Sequence, residues 1–189
     1  RDVLTKDFDF IMQFWNAPKP TIAAAHRYCI GGAMELMMAC DLAVAGETTR
    51  FGEPEVRFGS GIVAMLAPYV IGPKHAKELL LTGNDKITAD RCYQMGILNQ
   101  VVADGKEMEA ALELANQIVS AAPRSVQMTK TAIHRAYELA EMRTALREAL
   151  EIDIKIESDE SPERREFNRI RKEQGLKAAL TWRDQNAAG

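Results

Sequence analysis

The sequence lacks the features that most directly indicate a membrane or nucleic-acid function. It has no hydrophobic run long enough to cross a bilayer, since the longest, residues 62–71, is short and contains Pro68. It has no excess of basic residues, because lysine and arginine number 24 against 27 acidic residues, for a net charge of −3. These absences predict a protein that binds neither membranes nor nucleic acid.

Cysteine is also scarce, and its pattern excludes two further classes of protein. The three cysteines, Cys29, Cys40 and Cys92, are widely spaced and odd in number, so we expect reduced thiols rather than a disulfide framework or a metal site. No secretory signal is evident at the start, which together with the thiols predicts a cytoplasmic location. The sequence contains no nucleophile elbow, Walker loop or zinc spacing.

What is present indicates an α/β fold in the first part of the chain. Helical periodicity covers residues 2–16, and Pro18 ends that helix. Short apolar runs typical of buried strands then alternate with turns and helices, which favours parallel strands. The predicted strands are 21–25, 41–45, 49–52 and 97–102, and the predicted helices are 32–40, about 62–71, 74–82 and 89–95.

The later part of the chain has the pattern of helices only. Amphipathic stretches follow Asp104-Gly105, with predicted helices that begin near residues 106, 123, 142 and 162. We therefore divide the chain into an α/β core, residues 1–122, and a helical region, residues 123–189. Gly-rich turns are confined to the first part, so the chemistry is expected there.

The segment Gly31-Gly32-Ala33-Met34-Glu35 is the first candidate site. It joins a strand-like run to a helix, where a backbone N–H at Gly32 has no intrahelical partner. A glycine lets a ligand oxygen approach that N–H closely, and the helix dipole favours negative charge there. The alternative is a Gly-Gly turn that serves backbone geometry alone.

Two acids accompany this turn. Glu35 has apolar neighbours that would raise its proton affinity, although an acid in a first helical turn is also a common capping residue. Glu55 follows Pro54, and its alternative role is that of a surface-loop carboxylate. Glu53 is a nearby competitor for any acid role. As a pair, Glu35 and Glu55 could carry protons beside an anion site.

Three histidines and one basic cluster could also carry chemistry, but structural roles explain them more simply. His26 lies just before the glycines, from where it could reach the site, but has no partner acid at an informative spacing, and His75 and His134 lie on predicted helices. A structural or solvated role is therefore expected for all three. A basic cluster on a late helix alternates with glutamates, which predicts a salt-bridged surface, with binding of a phosphate-bearing ligand as the alternative. That cluster is Arg164, Arg165, Arg169, Arg171 and Lys172.

Taken in order, these segments resemble the enoyl-CoA hydratase/isomerase family, the crotonases. The resemblance covers almost the whole chain. It is carried by residues 19–24, 31–36, 40–41, 51–55, 71–72, 80–83 and 95–102. Each segment is short, and it is their ordered set that is specific.

The resemblance implies a crotonase-like (ClpP/crotonase) spiral of strand–strand–helix units with C-terminal helices that mediate oligomerisation. It implies a homotrimer or a dimer of trimers, an acyl-CoA thioester as substrate, and no metal or cofactor beyond the coenzyme A of that substrate. The chain begins at Arg1 rather than Met, and the resemblance implies that the first strands and one oxyanion-hole donor lie upstream of it.

The resemblance also implies roles for individual residues. Gly32 matches an oxyanion-hole donor, and Glu35 and Glu55 match the two acids of the hydratases. Substrate-binding positions are Gly31, Met34, Phe58 and Gly61, and Phe167 and Arg171 match loosely a helix that holds the coenzyme A nucleotide. With both acids present, hydration of a 2-enoyl-CoA is the favoured activity.

Alternatives remain open at this point. They are double-bond isomerisation, another crotonase reaction such as thioester hydrolysis, and a non-catalytic binding role. The turn at residues 59–64 is shorter and bulkier than is usual in the family, which leaves the acyl specificity open. Arg27 stands where the family often has glycine, and the sequence offers no reason for it.

Overall fold

The computed structural model describes residues 1–159 and 161–186. Within them the helices are α1 (Asp2–Trp15), α2 (Gly32–Ala39), α3 (Ala67–Val70), α4 (Gly72–Thr82), α5 (Ala89–Met95), α6 (Glu107–Ser120), α7 (Pro123–Leu139), α8 (Met142–Ser158), α9 (Pro162–Gln174) and α10 (Leu176–Asn186). The strands are β1 (Ile22–Ala25), β2 (Tyr28–Ile30), β3 (Leu42–Gly46), β4 (Arg50–Gly52), β5 (Ile87–Thr88) and β6 (Gln100–Val102), and a 3₁₀ helix covers Glu55–Phe58. Residues 160 and 187–189, part of the predicted helical region, lie outside the described residues.

The strands form two small sheets, and the second one positions the candidate site. In the first sheet, in the order β1-β3-β6, all strands are parallel. In the second, β2 pairs in parallel with β4, and Ile30 lies opposite Gly52. Parallel strands bring their carboxyl ends to the same edge of a sheet. Gly31 and Glu53, the residues that follow these two strands, therefore leave the sheet side by side.

The core is built mainly from helix faces. Helix α2 is apolar on most sides and buries Met34, Met37 and Met38. Helix α8 packs into the same core through residues spaced four apart, which is the spacing of one helical face. These residues are Met142, Leu146, Leu150 and Ile154. Since α8 shares its core with α1 and α2, the domain boundary at residue 122 stays a prediction.

A second, smaller cluster joins the last two helices to the rest. Phe167 and Ile170 of α9 and Ala179 of α10 are buried together, with Phe58 of the 3₁₀ helix packed against them. The C-terminal helices are thus connected to the segment that contains Glu55.

Most element predictions are confirmed, including parallel strands and the helix ends at Gly83 and Gly96. The predicted helix at about 62–71 is wrong except for Ala67–Val70, because the N–H groups of Val63 and Ala64 donate to a side chain instead of entering a helix. The predicted helical stretch 162–184 is interrupted at Gly175, whose φ is +88°. The short strands β2 and β5 were not predicted.

Candidate active site

The backbone at Gly31 takes a conformation that only glycine adopts readily. Its φ is +61° and its ψ is −133°, and it forms the N-cap of α2. Its N–H donates to the carbonyl of Gly52 at 2.9 Å, and its carbonyl accepts from the N–H groups of Met34 and Glu35 at 2.7 and 3.1 Å. This turn fixes the start of α2 against the end of β4.

Gly32 is the first residue of α2, and its N–H points away from the helix. A first-turn N–H has no intrahelical acceptor, and no described residue accepts a hydrogen bond from it. Gly32 is exposed, and a Cβ built on it would meet no atom within 4 Å. The N–H therefore belongs to an exposed residue at the positive end of a helix, where an anionic oxygen would be stabilised.

Glu35 lies one turn into the same helix and is buried, with 2% of its surface exposed. Its Oε2 accepts a hydrogen bond from the N–H of Ala64 at 2.5 Å, and its Oε1 accepts one from Val63 at 3.3 Å. Burial raises the pKa of Glu35 to about 8, against the opposing effect of the Ala64 amide, and the negative charge of Glu55 raises it further. Such a carboxyl is held rigidly and changes protonation near neutral pH.

Glu55 begins the 3₁₀ helix and faces the Gly31 turn. A Cβ built on Gly31 would collide with Oε1 of Glu55, so the carboxyl lies directly against the glycine Cα. Its Oε2 is buried without a hydrogen-bond donor among the described residues. Burial is the main cause of its raised pKa, and a hydrogen bond with Glu53 and the charge of Arg183 oppose that increase. The structure therefore places the Glu55 carboxyl against Gly31, at the start of the helix that carries Glu35.

Glu53 proves to be the most deeply buried of the acids. None of its surface is exposed, and no N–H or O–H group of the described residues donates to either carboxyl oxygen. Desolvation raises its pKa well above the usual range, and the nearby charges of Glu35 and Glu55 add to the shift. The sequence predicts Glu53 only as a competitor of Glu55, and the structure buries it completely beside the 3₁₀ helix that begins at Glu55.

Asp153 is a fourth acid of the site that the sequence did not predict. It lies on α8, is 2% exposed, and would collide with a Cβ at Gly61. Its charge contributes to the raised pKa of both Glu35 and Glu55, and burial raises its own pKa. A signal for it exists in the sequence, because it follows Leu146 and Leu150 at helical spacing on the buried face of α8.

An ion-pair network behind Glu55 holds its segment in place. Arg57 of the 3₁₀ helix pairs with Asp184 at 3.0 Å and with Asp85 at 3.7 Å. Arg183, itself only 2% exposed, pairs with the same two acids at 2.8 and 2.5 Å. Helix α10 is thereby attached to the turn that carries the second acid.

The remaining predicted binding residues lie in different surroundings. Met34 is fully buried, and Gly61 lies against Asp153. Phe58 stacks on Phe167 with ring centroids 4.7 Å apart, so Phe167, which is 5% exposed, already packs inside this chain. Arg171 is exposed on α9. A contact of Phe167 and Arg171 with coenzyme A stays a prediction.

The histidines and Arg169 of the basic cluster contact residues of their own chain. His26 pairs with Glu107 at 3.0 Å, and His134 stacks on Trp15. Arg169 pairs with Glu166 and Glu173 along the surface of α9, as a salt-bridged helix face requires. In the described part of the chain, no three His, Cys, Asp or Glu side chains are placed to share a metal ion. No helix in residues 1–159 or 161–186 has the length and hydrophobicity to cross a bilayer.

Comparison with known proteins gives a matching family model and similar sequences. The family model described as enoyl-CoA hydratase/isomerase matches residues 2–168. The chain is similar to the short-chain-enoyl-CoA hydratase of Clostridium acetobutylicum, with 38% identity over 133 residues, which are 68% of this chain and 49% of that protein. It is also similar to the crotonyl-CoA hydratase of Syntrophomonas wolfei, with 34% identity over 140 residues, 71% of this chain and 51% of that protein.

A solved structure matches nearly the whole chain. It is an enoyl-CoA hydratase/isomerase from Xanthobacter autotrophicus Py2, with a TM-score of 0.94 and 46% identity, covering 98% of this chain and 69% of that one. The chain spans about half the length of the curated relatives that it matches.

Proposed function

The chain belongs to the enoyl-CoA hydratase/isomerase family and has the crotonase fold, and we propose that it forms the catalytic part of an enoyl-CoA hydratase. The reaction is addition of water across the double bond of a trans-2-enoyl-CoA thioester. One observation carries the proposal: the carboxyl of Glu55 lies against Gly31, and α2, which begins at the next residue, carries Glu35.

The Gly32 N–H is the proposed donor to the thioester oxygen. As water adds to the β-carbon, negative charge moves onto that oxygen and an enolate forms. A fixed donor at a helix N-terminus stabilises the enolate more than the neutral thioester, which lowers the activation barrier. A single donor of this kind is worth about 3 kcal/mol in other enzymes.

The two acids divide the proton transfers between them. Glu35 takes a proton from the attacking water, and its two amide hydrogen bonds hold both oxygens so that the carboxylate has one orientation. Glu55 gives a proton to the α-carbon. The water thus supplies the hydroxyl group at the β-carbon, and the proton taken up by Glu35 replaces the one given up by Glu55. Burial raises the pKa of both carboxyls, and that of Glu35 to about 8, which favours general acid–base catalysis.

The substrate class and assembly follow the same proposal. The substrate is an acyl-CoA thioester, and no cofactor takes part beyond the coenzyme A that the substrate carries. A homotrimer or a dimer of trimers in the cytoplasm is the proposed form. Gly31, Met34, Phe58 and Gly61 are the proposed neighbours of the acyl group.

The decisive experiment is hydration of enoyl-CoA thioesters, followed by loss of ultraviolet absorbance of the conjugated thioester. Wild-type protein should hydrate at least one short, branched or aromatic 2-enoyl-CoA. Glu35→Gln and Glu55→Gln should each lose about 100-fold or more in kcat, where about 100-fold is the lower end of the range for one general acid or base. Glu113→Gln, a change at an exposed residue of α6, is the matched control and should keep wild-type activity.

Two results would overturn the proposal. Inactivity of the wild-type protein on all three substrate types would remove the hydratase assignment. Isomerisation of a 3-enoyl-CoA that survives in Glu35→Gln would replace it with a double-bond isomerase, since that reaction needs only one of the acids.

A further inference from the structure

The turn at residues 59–64 connects the segments that carry the two proposed catalytic acids. Its later part holds Glu35, because two of its N–H groups donate to that carboxyl. Its first part is attached to the 3₁₀ helix, where the N–H of Ser60 donates to the Glu55 carbonyl at 2.9 Å. The position of the turn therefore fixes the Glu35 carboxyl relative to the backbone that carries the second acid.

Helix α8 packs against this turn through two residues of one helical face. Asp153 lies against Gly61, where an added Cβ would collide with the carboxyl and come close to the α8 backbone. Glu157 lies one helical turn later, and its Oε1 accepts a hydrogen bond from the Ser60 hydroxyl. Successive turns of α8 thus hold adjacent residues of the 59–64 turn.

Helix α9 fixes Glu157 through its second carboxyl oxygen. The Arg164 guanidinium forms an ion pair with Glu157 Oε2, and the two side chains are only 21% and 16% exposed. The start of α9 also touches the turn, since a Cβ at Gly59 would collide with Ser161. Glu157 therefore has one oxygen on Ser60 and the other on Arg164, which gives its carboxylate one orientation.

The polar contact between Ser60 and Glu157 does more than attach α8 to the core. Leu146 and Leu150 of the same helix already make apolar core contacts. Apolar contacts have no direction and would let the turn shift along the helix. A hydrogen bond to a carboxylate is directional and stronger than one between neutral groups. Ser60 and Glu157 thus set where the turn lies.

We propose that Ser60 and Glu157 are positioning residues, which hold the 59–64 turn so that its amides keep the Glu35 carboxylate aligned for the attack of water. This inference rests on the proposed hydratase function. The two residues act through the backbone: Glu157 fixes Ser60, and the N–H groups that reach Glu35 follow three and four residues later.

The amide hydrogen bonds also affect the ionisation of Glu35. Donors to the ionised form favour it, so both amides lower the pKa of Glu35 against the larger effect of burial. The charges of Glu55 and of Asp153 on α8 raise that pKa, and Glu53 and Glu35 repel each other. A turn that is free to move would weaken the amide bonds and leave these charges in place. Glu35 would then ionise at a higher pH.

Ser60→Ala tests the proposal, because it removes the hydroxyl and changes no charge. The base must be ionised, so the acid limb of the kcat/KM profile follows Glu35. We expect that limb to move to higher pH by about 0.5 unit or more, which lowers kcat/KM about threefold or more on the limb. Ser125→Ala, the same change at an exposed residue of α7, should leave the limb in place. An unmoved limb in Ser60→Ala would overturn the inference.

Two variants at residue 157 test the path through Ser60. Glu157→Gln and Glu157→Leu remove the same charge, but only glutamine can still accept a hydrogen bond from the Ser60 hydroxyl. The acid limb should therefore lie at higher pH in Glu157→Leu than in Glu157→Gln. In a Ser60→Ala background that difference should vanish, since the shared contact is already lost. A difference that persists there would contradict the proposed path.

A purely structural role predicts a different outcome. If Glu157 serves only as the partner of Arg164, the ion pair is intact in Ser60→Ala and the profile of that variant should match wild type. Circular dichroism checks that each variant is folded. If Glu157→Leu does not fold, the Ser60→Ala profile still decides.

A measurement without substrate separates this inference from the proposed function. Hydrogen–deuterium exchange of residues 59–64, followed by mass spectrometry, should be several-fold faster in Ser60→Ala than in Ser125→Ala. Faster exchange in a protein that hydrates no enoyl-CoA would sustain the role of Ser60 in holding the turn and reject the hydratase. Unchanged exchange and an unmoved limb in an active enzyme would reject the inference and sustain the hydratase.

Discussion

The carboxyl of Glu55 occupies the space in which a side chain at residue 31 would begin. Gly31 is thus required for two reasons: its φ is positive, and the carboxyl of Glu55, in the 3₁₀ helix that follows β4, approaches it closely. The turn that starts α2 and the placement of the second acid are therefore one structural feature.

Gly31→Ala tests this relationship against a glycine that also has a positive φ but lacks such a neighbour. Gly96 also has a positive φ, of +84°, but a Cβ there would meet nothing within 4 Å. We expect Gly96→Ala to lower the free energy of unfolding by about 1 kcal/mol and Gly31→Ala by about 3 kcal/mol. Urea denaturation measures both. Equal losses would mean that Glu55 moves aside freely.

The donor at Gly32 can be deleted without deleting the helix. Proline is favoured at the first position of a helix, where its missing N–H breaks no intrahelical bond. Gly32→Pro should therefore keep the fold and lose about 100-fold or more in kcat, the usual loss for one oxyanion-hole donor. Gly32→Ala keeps the N–H and adds a methyl group to open space.

The comparison of the two variants isolates the N–H itself. Gly32→Ala should lose much less activity than Gly32→Pro, with both folded by circular dichroism. Similar losses in the two would point to steric exclusion of the substrate rather than to a missing hydrogen bond.

The pH dependence of hydration should report the charge of Asp153. The base must be ionised, and because Glu35 titrates at about 8, kcat/KM should rise as the pH increases through that value. The negative charge of Asp153 raises the pKa of Glu35. Asp153→Asn should therefore move the acid limb to lower pH. Glu148→Gln, an exposed change on the same helix, should leave the limb in place.

Protein stability should respond to Glu53 in the direction opposite to that of most acids. Its pKa is raised in the folded state, so above pH 4.5 the folded protein binds more protons than the unfolded one. The stability of wild type is then progressively lost as the pH rises from 4.5 towards the raised pKa. Relative to wild type, Glu53→Gln should gain up to about 1.4 kcal/mol per pH unit in that window.

Denaturation series at pH 5, 6, 7 and 8 would measure this gain. Glu113→Gln serves as the exposed control and should track wild type at each pH. A Glu53→Gln variant whose stability relative to wild type is constant across the series would show that Glu53 is ionised in the folded protein.

Local signals made much of the fold predictable. Helices α4 and α5 end at Gly83 and Gly96, and α7 begins at Pro123. Each of these residues sets the helix terminus through its own backbone geometry. Gly32, Glu35 and Glu55 were recognisable because they are close together in an ordered set of segments. Such features depend on neighbours in the chain and can be found without knowledge of the tertiary structure.

The elements and buried acids that the sequence did not predict share a different cause. Residues 62–66 have a helical composition, but the N–H groups of Val63 and Ala64 donate hydrogen bonds to the Glu35 carboxylate instead of to helix carbonyls. β5 consists of two residues, too few to show alternation. The burial of Glu53 and Asp153 depends on contacts between segments far apart in sequence, and both acids look ordinary until that packing is known.

Helix α8 also links catalysis to the completion of folding. Residue 153 must dock against a turn some ninety residues earlier before Glu35 and Glu55 have all their neighbours. A chain in which α8 has not yet docked would thus contain Glu35 and Glu55 without the neighbouring charge that helps to raise the pKa of both.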